Sequence, residues 1–148
     1  MMVKWINLDI KGDQRGSLVA IEESIDIPFL IKRVYYIFGT RQGVKRGCHA
    51  HKELQQVAIC VRGSCRMLLE DSSSYSEVEL NSPDRGLHID RLVWHEMYDF
   101  SEDCVLMVLA DNHYCERDYI RDYEVFKQTA KVPDVATALG LQRLIPKT

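Results

Sequence analysis

The sequence has no Cys-x-x-Cys pair, no run of Lys or Arg, no internal repeat and no low-complexity linker. Its five cysteines, Cys48, Cys60, Cys65, Cys104 and Cys115, form an odd set. This argues against a disulfide framework and against a thiolate zinc site. It favours a reducing, cytoplasmic setting in which each cysteine is a small hydrophobe in a strand. With no basic stripe and a formal net charge of −3, the chain has no electrostatic footprint for nucleic acid. A nucleotide-linked substrate stays compatible, because a diphosphate needs only one or two well-placed cations. The longest apolar stretch, Val105 to Ala110, falls far short of the ~20 residues of a spanning helix, so no membrane partner is expected. The first residues, Met1 to Trp5, carry no charged n-region followed by an apolar core and a cleavage site, so no export signal is expected.

What is present is the composition of one ordinary domain: 148 residues, 46% hydrophobic and 28% charged, enough to bury a core. Short runs of Val, Ile, Tyr and Leu recur between turn signals, the mark of an all-β sandwich or barrel with at least eight strands. Ile31 to Phe38 reads as a strand. Val57 to Arg62 and Cys65 to Glu70 read as a hairpin about Gly63-Ser64. Asp71 to Ser76 and Asn81 to Asp84 are reversals flanking a strand at Glu77 to Leu80. Leu87 to Ile89, Leu92 to His95 and Glu96 to Phe100 continue the pattern, and Cys104 to Leu109 suits a strand buried on both faces. The barrel is expected to occupy about residues 7–126, with a tail and short helix over 127–148. The helix is expected from Val135 to Leu144, capped by Asp134.

The most informative segment is Arg46-Gly47-Cys48-His49-Ala50-His51-Lys52. In a strand, His49 and His51 project from one face while Cys48 and Ala50 take the other. Such a pair suits two metal ligands, a general base with its partner, or polar residues at a strand end. The frame of Gly47, His49, His51 and Gly63 resembles the first cupin motif, but Gln55 and Gln56 stand where its carboxylate ligand belongs, and Glu53 comes too early. An amide there lowers site charge and affinity for a divalent metal. The second cupin motif is also irregular, with two residues between Pro83 and Gly86 and with His88 and His95 following.

Further blocks narrow the resemblance: Gln14 to Leu18, Ile27 to Phe29, Ile31 to Ile37, Arg46-Gly47 with His49 to Lys52, Gly63-Ser64, Trp94 to Met97, and Asp118 to Arg121. Together, from about Asn7 to Phe126, they resemble the dTDP-4-keto-6-deoxyglucose 3,4-ketoisomerases. These WxcM-like cupin enzymes prepare 3-amino-3,6-dideoxyhexoses for surface glycans of the O-antigen and S-layer kind. The resemblance implies an all-β cupin jelly-roll barrel with a short C-terminal helix, no catalytic metal, and a homodimer with an exchanged N-terminal strand. It maps the family's active-site histidines onto His49 and His51, its tyrosine onto Tyr35 and an arginine onto Arg15.

The implied reaction takes a proton from C3, passes through an enediol and returns a proton to C4. A group titrating near neutrality is needed, and an imidazole with an unperturbed pKa near ~6.5 supplies one. His49 is the expected base, with His51 orienting it or relaying a proton, and the Tyr35 hydroxyl donating to the enediolate. Strand parity alone does not choose between Tyr35 and Tyr36; the resemblance does. Arg15 and Arg46 are candidates for the diphosphate, Arg33 or Lys32 for a pocket cation, and Gln14 for a neighbour of the sugar. Trp94 offers a flat surface for a thymine or sugar face, and His95 a third imidazole. His88 and His113 read as surface or loop residues. Tyr114, Tyr119 and Tyr123 read as closing the barrel end or the dimer seam. No redox cofactor is required, since the hydrogen leaves and returns as a proton. The rivals are a metal-dependent cupin oxygenase using His49, His51 and His95, and a non-catalytic sugar-nucleotide binding module. The configuration of the product at C4 stays open, with the Gln14-Arg15 pair inclining it to the glucose type.

Overall fold

The computed structural model describes residues 3–131. Twelve strands run in the order β1 Lys4–Asn7, β2 Lys11–Asp13, β3 Gly16–Leu18, β4 Arg33–Ile37, β5 Arg46–His51, β6 Gln56–Arg62, β7 Cys65–Glu70, β8 Tyr75–Leu80, β9 Arg85–Ile89, β10 Trp94–Tyr98, β11 Val105–Ala110 and β12 Tyr119–Ile120. A 3₁₀ turn at Glu116–Asp118 precedes β12, and helix α1 spans Tyr123–Lys131. Two five-stranded sheets face one another, one ordered β1-β9-β6-β11-β4 and the other β12-β5-β10-β7-β8, with β2 and β3 forming a separate hairpin. The spacing of short strands predicts an all-β sandwich or barrel, and the arrangement is the jelly roll that the resemblance implies.

The principal core lies between the sheets, where Ala58, Met67, Leu69, Leu87, Met97, Leu106 and Val108 meet. Each sheet also covers its outer face. Outside the first sheet, Val57, Ile59 and Leu109 pack under Leu8, Ile27 and Phe29. Strand β11 is thus buried on both faces, as its unbroken apolar run predicts. Outside the second, Ala50, Trp94 and Ile120 pack under Phe126 of α1.

Three expectations are revised. The Gly63-Ser64 turn exists, but β6 and β7 belong to opposite sheets, so it is a crossover between layers rather than a hairpin; a short apolar run with a tight turn reads the same in both. The segments Leu92 to His95 and Glu96 to Phe100 are one strand, β10. A helix, α1, occupies the charged and aromatic stretch just after β12, where none was expected, because Phe126 finds a buried seat against Trp94. The helix expected over Val135 to Leu144 lies outside the described residues.

An irregularity in β5 sets the placement of its histidines. Opposite β10, His95 faces His49 while Glu96 faces Gly47, so Cys48 is an extra residue in β5, a β-bulge. Gly47 (φ 79) and Cys48 (φ 59) both take left-handed backbone. A Cβ at Gly47 would stand 2.9 Å from the His95 carbonyl oxygen, so only glycine lets the strands approach there. Gly39 also has a positive φ of 64 but open space around it. We therefore expect Gly39→Ala to cost about 1–2 kcal/mol from backbone conformation alone, and Gly47→Ala to cost clearly more. Urea unfolding of the two variants checks this; equal losses would show that the close approach to β10 has no energetic weight.

Candidate active site

β5 delivers His49 and His51 to the inner face, with ring centroids 4.9 Å apart. The bulge sets His95 of β10 across from His49, and those rings stand 4.6 Å apart. Tyr119 of β12 pairs with His51 in register and places its ring 4.8 Å from His49 and 4.4 Å from His51. The sequence expectation that the two β5 histidines share a face holds, and His95 joins them.

Each imidazole has its Nδ1 against a fixed acceptor: the Gly47 carbonyl for His49 at 3.1 Å, Asp118 Oδ2 for His51 at 3.2 Å, and the Val93 carbonyl for His95 at 3.2 Å. Two of these acceptors are carbonyls, and the third is a carboxylate that accepts a hydrogen bond from the ring, so the tautomer assigned to all three carries its hydrogen on Nδ1. Every Nε2 then offers a lone pair. One ligand atom from each of the three residues lies within 4.8 Å of the others. Such a set of neutral nitrogens has the spacing to hold a divalent ion. The carboxylate that cupins add is replaced by Gln56, whose Oε1 accepts a 2.7 Å hydrogen bond from the Tyr35 hydroxyl.

Electrostatics keep the cluster uncharged. Burial pushes His51 down to about 3, helped by repulsion from His49, Arg33 and Arg121. Asp118 does not reverse this, because its carboxylate already accepts from the backbone N–H groups of Glu53 and Leu54. Burial likewise pushes His95 down to about 3. His49 is lowered, chiefly by burial, while the Gly47 carbonyl pulls it back up. Burial pushes the Tyr35 hydroxyl up to about 12, which keeps it a proton donor.

Cations rim this group. The Arg33 guanidinium sits 4.7 Å from the Tyr35 ring centroid and 5.4 Å from that of Tyr114. Arg121 lies 4.2 Å over Tyr119 and grips Glu116 with two hydrogen bonds of 2.8 and 3.0 Å. Arg46 is exposed, and its charge is felt by Tyr35. Tyr36, the alternative left open by parity, is 63% exposed and points away.

Three sequence candidates are not brought to the cluster within this chain. Trp94 neighbours His95 in β10 and so faces outward, where its indole packs on Phe126 and donates to Glu96 at 3.1 Å. Its parity is opposite to that of the histidine, which rules out base stacking in this pocket. Gln14 and Arg15 lie at the exposed tip of the β2–β3 hairpin, where Asp13 holds the Arg15 guanidinium at 2.5 Å. Conversely, Asp118, Tyr119, Gln56, Tyr114 and Arg121 stand at the site although the sequence named none of them as a catalytic or substrate-binding candidate, Tyr114 and Tyr119 being read as closing the barrel end or the dimer seam and Gln56 as standing in a carboxylate ligand's place. Asp118 and Tyr119 sit at the 3₁₀ turn and the two-residue β12, too short for a periodic signal. His88 sits on the outer face, its Nε2 against Gln55 Oε1 at 3.1 Å.

Unfolded imidazoles titrate near 6.5, whereas folded His51 and His95 do so near 3. Between those limits the unfolded chain binds more protons, so stability falls as pH drops from 6.5 towards 3. We expect a lower urea midpoint at about pH 5 than at about pH 7, and a smaller difference for His95→Asn. A pH-independent midpoint over this range would refute the neutral, desolvated cluster.

Residues 1–131 match the family described as FdtA: WxcM-like, C-terminal. Over 125 residues the chain is 57% identical to the TDP-4-oxo-6-deoxy-alpha-D-glucose-3,4-oxoisomerase of Aneurinibacillus thermoaerophilus, covering 84% of this chain and 90% of that one. It also superposes, with a TM-score of 0.85 and 47% identity, on a histidine-to-asparagine variant of the 3,4-ketoisomerase QdtA from Thermoanaerobacterium thermosaccharolyticum in complex with TDP-4-keto-6-deoxyglucose. That match covers 87% of this chain and 94% of the other. The TDP-quinovose 3,4-ketoisomerase WlaRB of Campylobacter jejuni matches with a TM-score of 0.82 and 47% identity, over 85% and 97% of the two chains. With match lengths of this order, and with paired histidines on a jelly-roll scaffold, the chain belongs to the WxcM-like FdtA family, whose relatives are sugar 3,4-ketoisomerases.

Proposed function

We propose that the protein is a sugar-nucleotide 3,4-ketoisomerase that converts a dTDP-linked 4-keto-6-deoxyglucose to the 3-keto-6-deoxyhexose. The observation that carries the reading is the set of three neutral imidazoles, each anchored through Nδ1 and each free to accept at Nε2. Relatives that are named for this reaction and match nearly their full length supply the substrate class.

In this reading His49 Nε2 takes the proton from C3, and electrons move into the C3–C4 bond as the C4 carbonyl oxygen becomes an enediolate. The conjugate imidazolium returns a proton to C4 while the C3 hydroxyl loses its own to become the new carbonyl. His49 suits the role because burial lowers its pKa, which keeps the ring neutral, while its hydrogen bond to the Gly47 carbonyl acts in the opposite sense and favours proton uptake. His51, steadied by Asp118, relays the hydroxyl proton between the two sugar oxygens. Tyr35 stays protonated and donates to the enediolate. Arg33, over the Tyr35 ring, and the exposed Arg46 are the cations for the diphosphate in this reading. No step draws on a redox cofactor, and proton transfer of this kind calls for no metal.

The hairpin bearing Gln14 and Arg15 fits the same reading through a homodimer. Held away from its own cluster, it is the segment to be exchanged, so that Arg15 serves the partner's diphosphate. The edge strand β4 exposes Val34 and Tyr36, and Phe38 just beyond it is exposed too, an apolar face suited to the seam. No described helix is long and apolar enough to cross a membrane, in keeping with work on a water-soluble nucleotide sugar in the cytoplasm.

The test is proton NMR of the chelator-treated protein with dTDP-4-keto-6-deoxyglucose in deuterated water. A 3-keto product carrying deuterium at C4 is expected, with a loss of roughly 10²–10⁴ in kcat for His49→Asn. Coupling constants of the product give the configuration at C4. Substrate that survives until iron or manganese is added would favour a metal-dependent cupin, and substrate that survives throughout would leave a binding module.

Exchange has its own check. Co-expressed His49→Asn and Arg15→Ala chains are expected to regain activity that neither shows alone, because one site of the mixed dimer is intact. Absence of recovery would place Arg15 outside the partner's site.

A further inference from the structure

At the far end of the barrel the fold gathers three thiols that lie well apart in sequence. Cys60 on β6 and Cys104 at the entry to β11 come from the first sheet, and Cys65 opens β7 in the second. Their Sγ atoms all lie within 4.8 Å of one another, with Cys60 and Cys104 at 3.7 Å. Cys60 and Cys65 are 0% exposed and Cys104 is 3% exposed. Cys60 lies four positions beyond Gln56 along β6, a distance of about 13 Å at ~3.3 Å per residue. The thiols therefore have no part in the sugar chemistry.

In the β6–β11 ladder Cys60 faces Leu106 and the register shifts between Leu106 and Val105, so Cys104 is not paired with Cys60 across the ladder, and all three cysteines stand as free thiols. Three sulfurs around one centre fit the spacing, since bonds of ~2.3 Å at the pyramidal angle of a trivalent centre with a lone pair place the sulfurs roughly 3.4 Å apart, near the 3.7 Å between Cys60 and Cys104. Among the described residues no fourth His, Cys, Asp or Glu joins the group, so a tetrahedral zinc site lacks a ligand.

Charge then selects the centre. The three thiols belong to the core cluster that also holds Met67, Met97, Phe100 and Leu106. The charge next to the cluster is the negative Asp103, towards which the exposed Arg62 is drawn at 3.6 Å. Three thiolates on a monovalent or divalent ion would leave uncompensated negative charge in this apolar space, which is costly. A trivalent centre leaves none.

We propose that Cys60, Cys65 and Cys104 form a three-sulfur site for trivalent arsenic, offered as arsenite. Three As–S bonds form and three As–O bonds break. Each thiol proton leaves on a departing hydroxide as water, and arsenic stays trivalent, so nothing is oxidised or reduced. Attack starts at Cys60, whose Sγ lies 3.7 Å from that of Cys104 and within 4.8 Å of that of Cys65. Because the sulfurs come from both sheets, the bound centre ties the layers together at the Gly63-Ser64 crossover, and its entry requires that end to open.

The experiment is native mass spectrometry and thermal unfolding of the reduced full-length chain titrated with arsenite under anaerobic conditions. One arsenic per chain with loss of three protons, and a higher Tm, are expected. The Cys48→Ser, Cys115→Ser double variant is expected to behave identically, whereas Cys65→Ala, checked for fold by circular dichroism, forms no three-proton adduct. No uptake by the folded wild-type chain, an adduct with loss of only two protons, or uptake that disappears in the double variant would each overturn the site. The wild-type and double-variant results decide the matter even if Cys65→Ala does not fold, and they stand apart from whether the chain isomerises a sugar.

Discussion

The carboxylate of Asp118 is the tie on which the site depends. It accepts from the backbone N–H of Glu53 at 2.8 Å and of Leu54 at 3.2 Å, and it lies 3.2 Å from His51 Nδ1. The backbone carbonyl of the same residue accepts from Lys52 N–H at 3.0 Å. One residue thereby fastens the segment after β11 to the end of β5, fixes the ring of His51 and delivers Tyr119 onto two imidazoles. It also stops the turn after β5 from leaving buried amides unpaired, which would cost about 1–3 kcal/mol each. The jelly roll supplies two walls; this contact supplies the third.

The two ends of the barrel interior have opposite chemistry on a common scaffold. At one end, polar rings are buried, and desolvation is offset by giving every Nδ1 an acceptor. What remains is unsatisfied accepting capacity at Nε2, concentrated where a substrate can use it. At the other end three thiols join the hydrocarbon core, and Cys60 Sγ donates to the Arg62 carbonyl at 3.1 Å. The proposed proton shuttle and the proposed soft-ion site call for these different environments, and four positions along one strand separate them.

Much of the molecule is legible in the sequence where a short-range rule applies. Period-two alternation puts His49 and His51 on one face and Cys48 and Ala50 on the other. The apolar run of β11 implies burial on both sides. What is not legible depends on partners distant in sequence. Nothing near Cys60 and Cys65 distinguishes a hairpin from a crossover between sheets, because the turn is the same and only the third strands, β9, β11 and β10, reveal which ladder each joins. Trp94 looks as good a pocket residue as His95 until β10 is seen to be one strand, whereupon adjacency itself assigns them to opposite faces. Asp118 and Tyr119 act through single contacts with no period to betray them. The thiol cluster escapes the sequence for the same reason: spacing rules for metal sites describe ligands on one turn, and these three converge from two sheets.

The bulge at Gly47 and Cys48 couples the strand register to the charge state of the site. In an unbroken antiparallel ladder, Glu96 would face Cys48 once His95 faced His49, and both pairs would alternate faces strictly. Inserting Cys48 as an extra residue keeps His95 opposite His49 while bringing Glu96 opposite Gly47, next to Lys45, with which Glu96 pairs at 2.7 Å. The inner face keeps three neutral imidazoles, and the carboxylate that could have charged them is held on the outer side by a lysine and an indole. Two positive φ values are the conformational cost. Backbone strain of this kind persists where surrounding structure over-determines it, and here the surrounding structure is the histidine cluster itself, closed by Tyr119 and backed through Trp94 by α1.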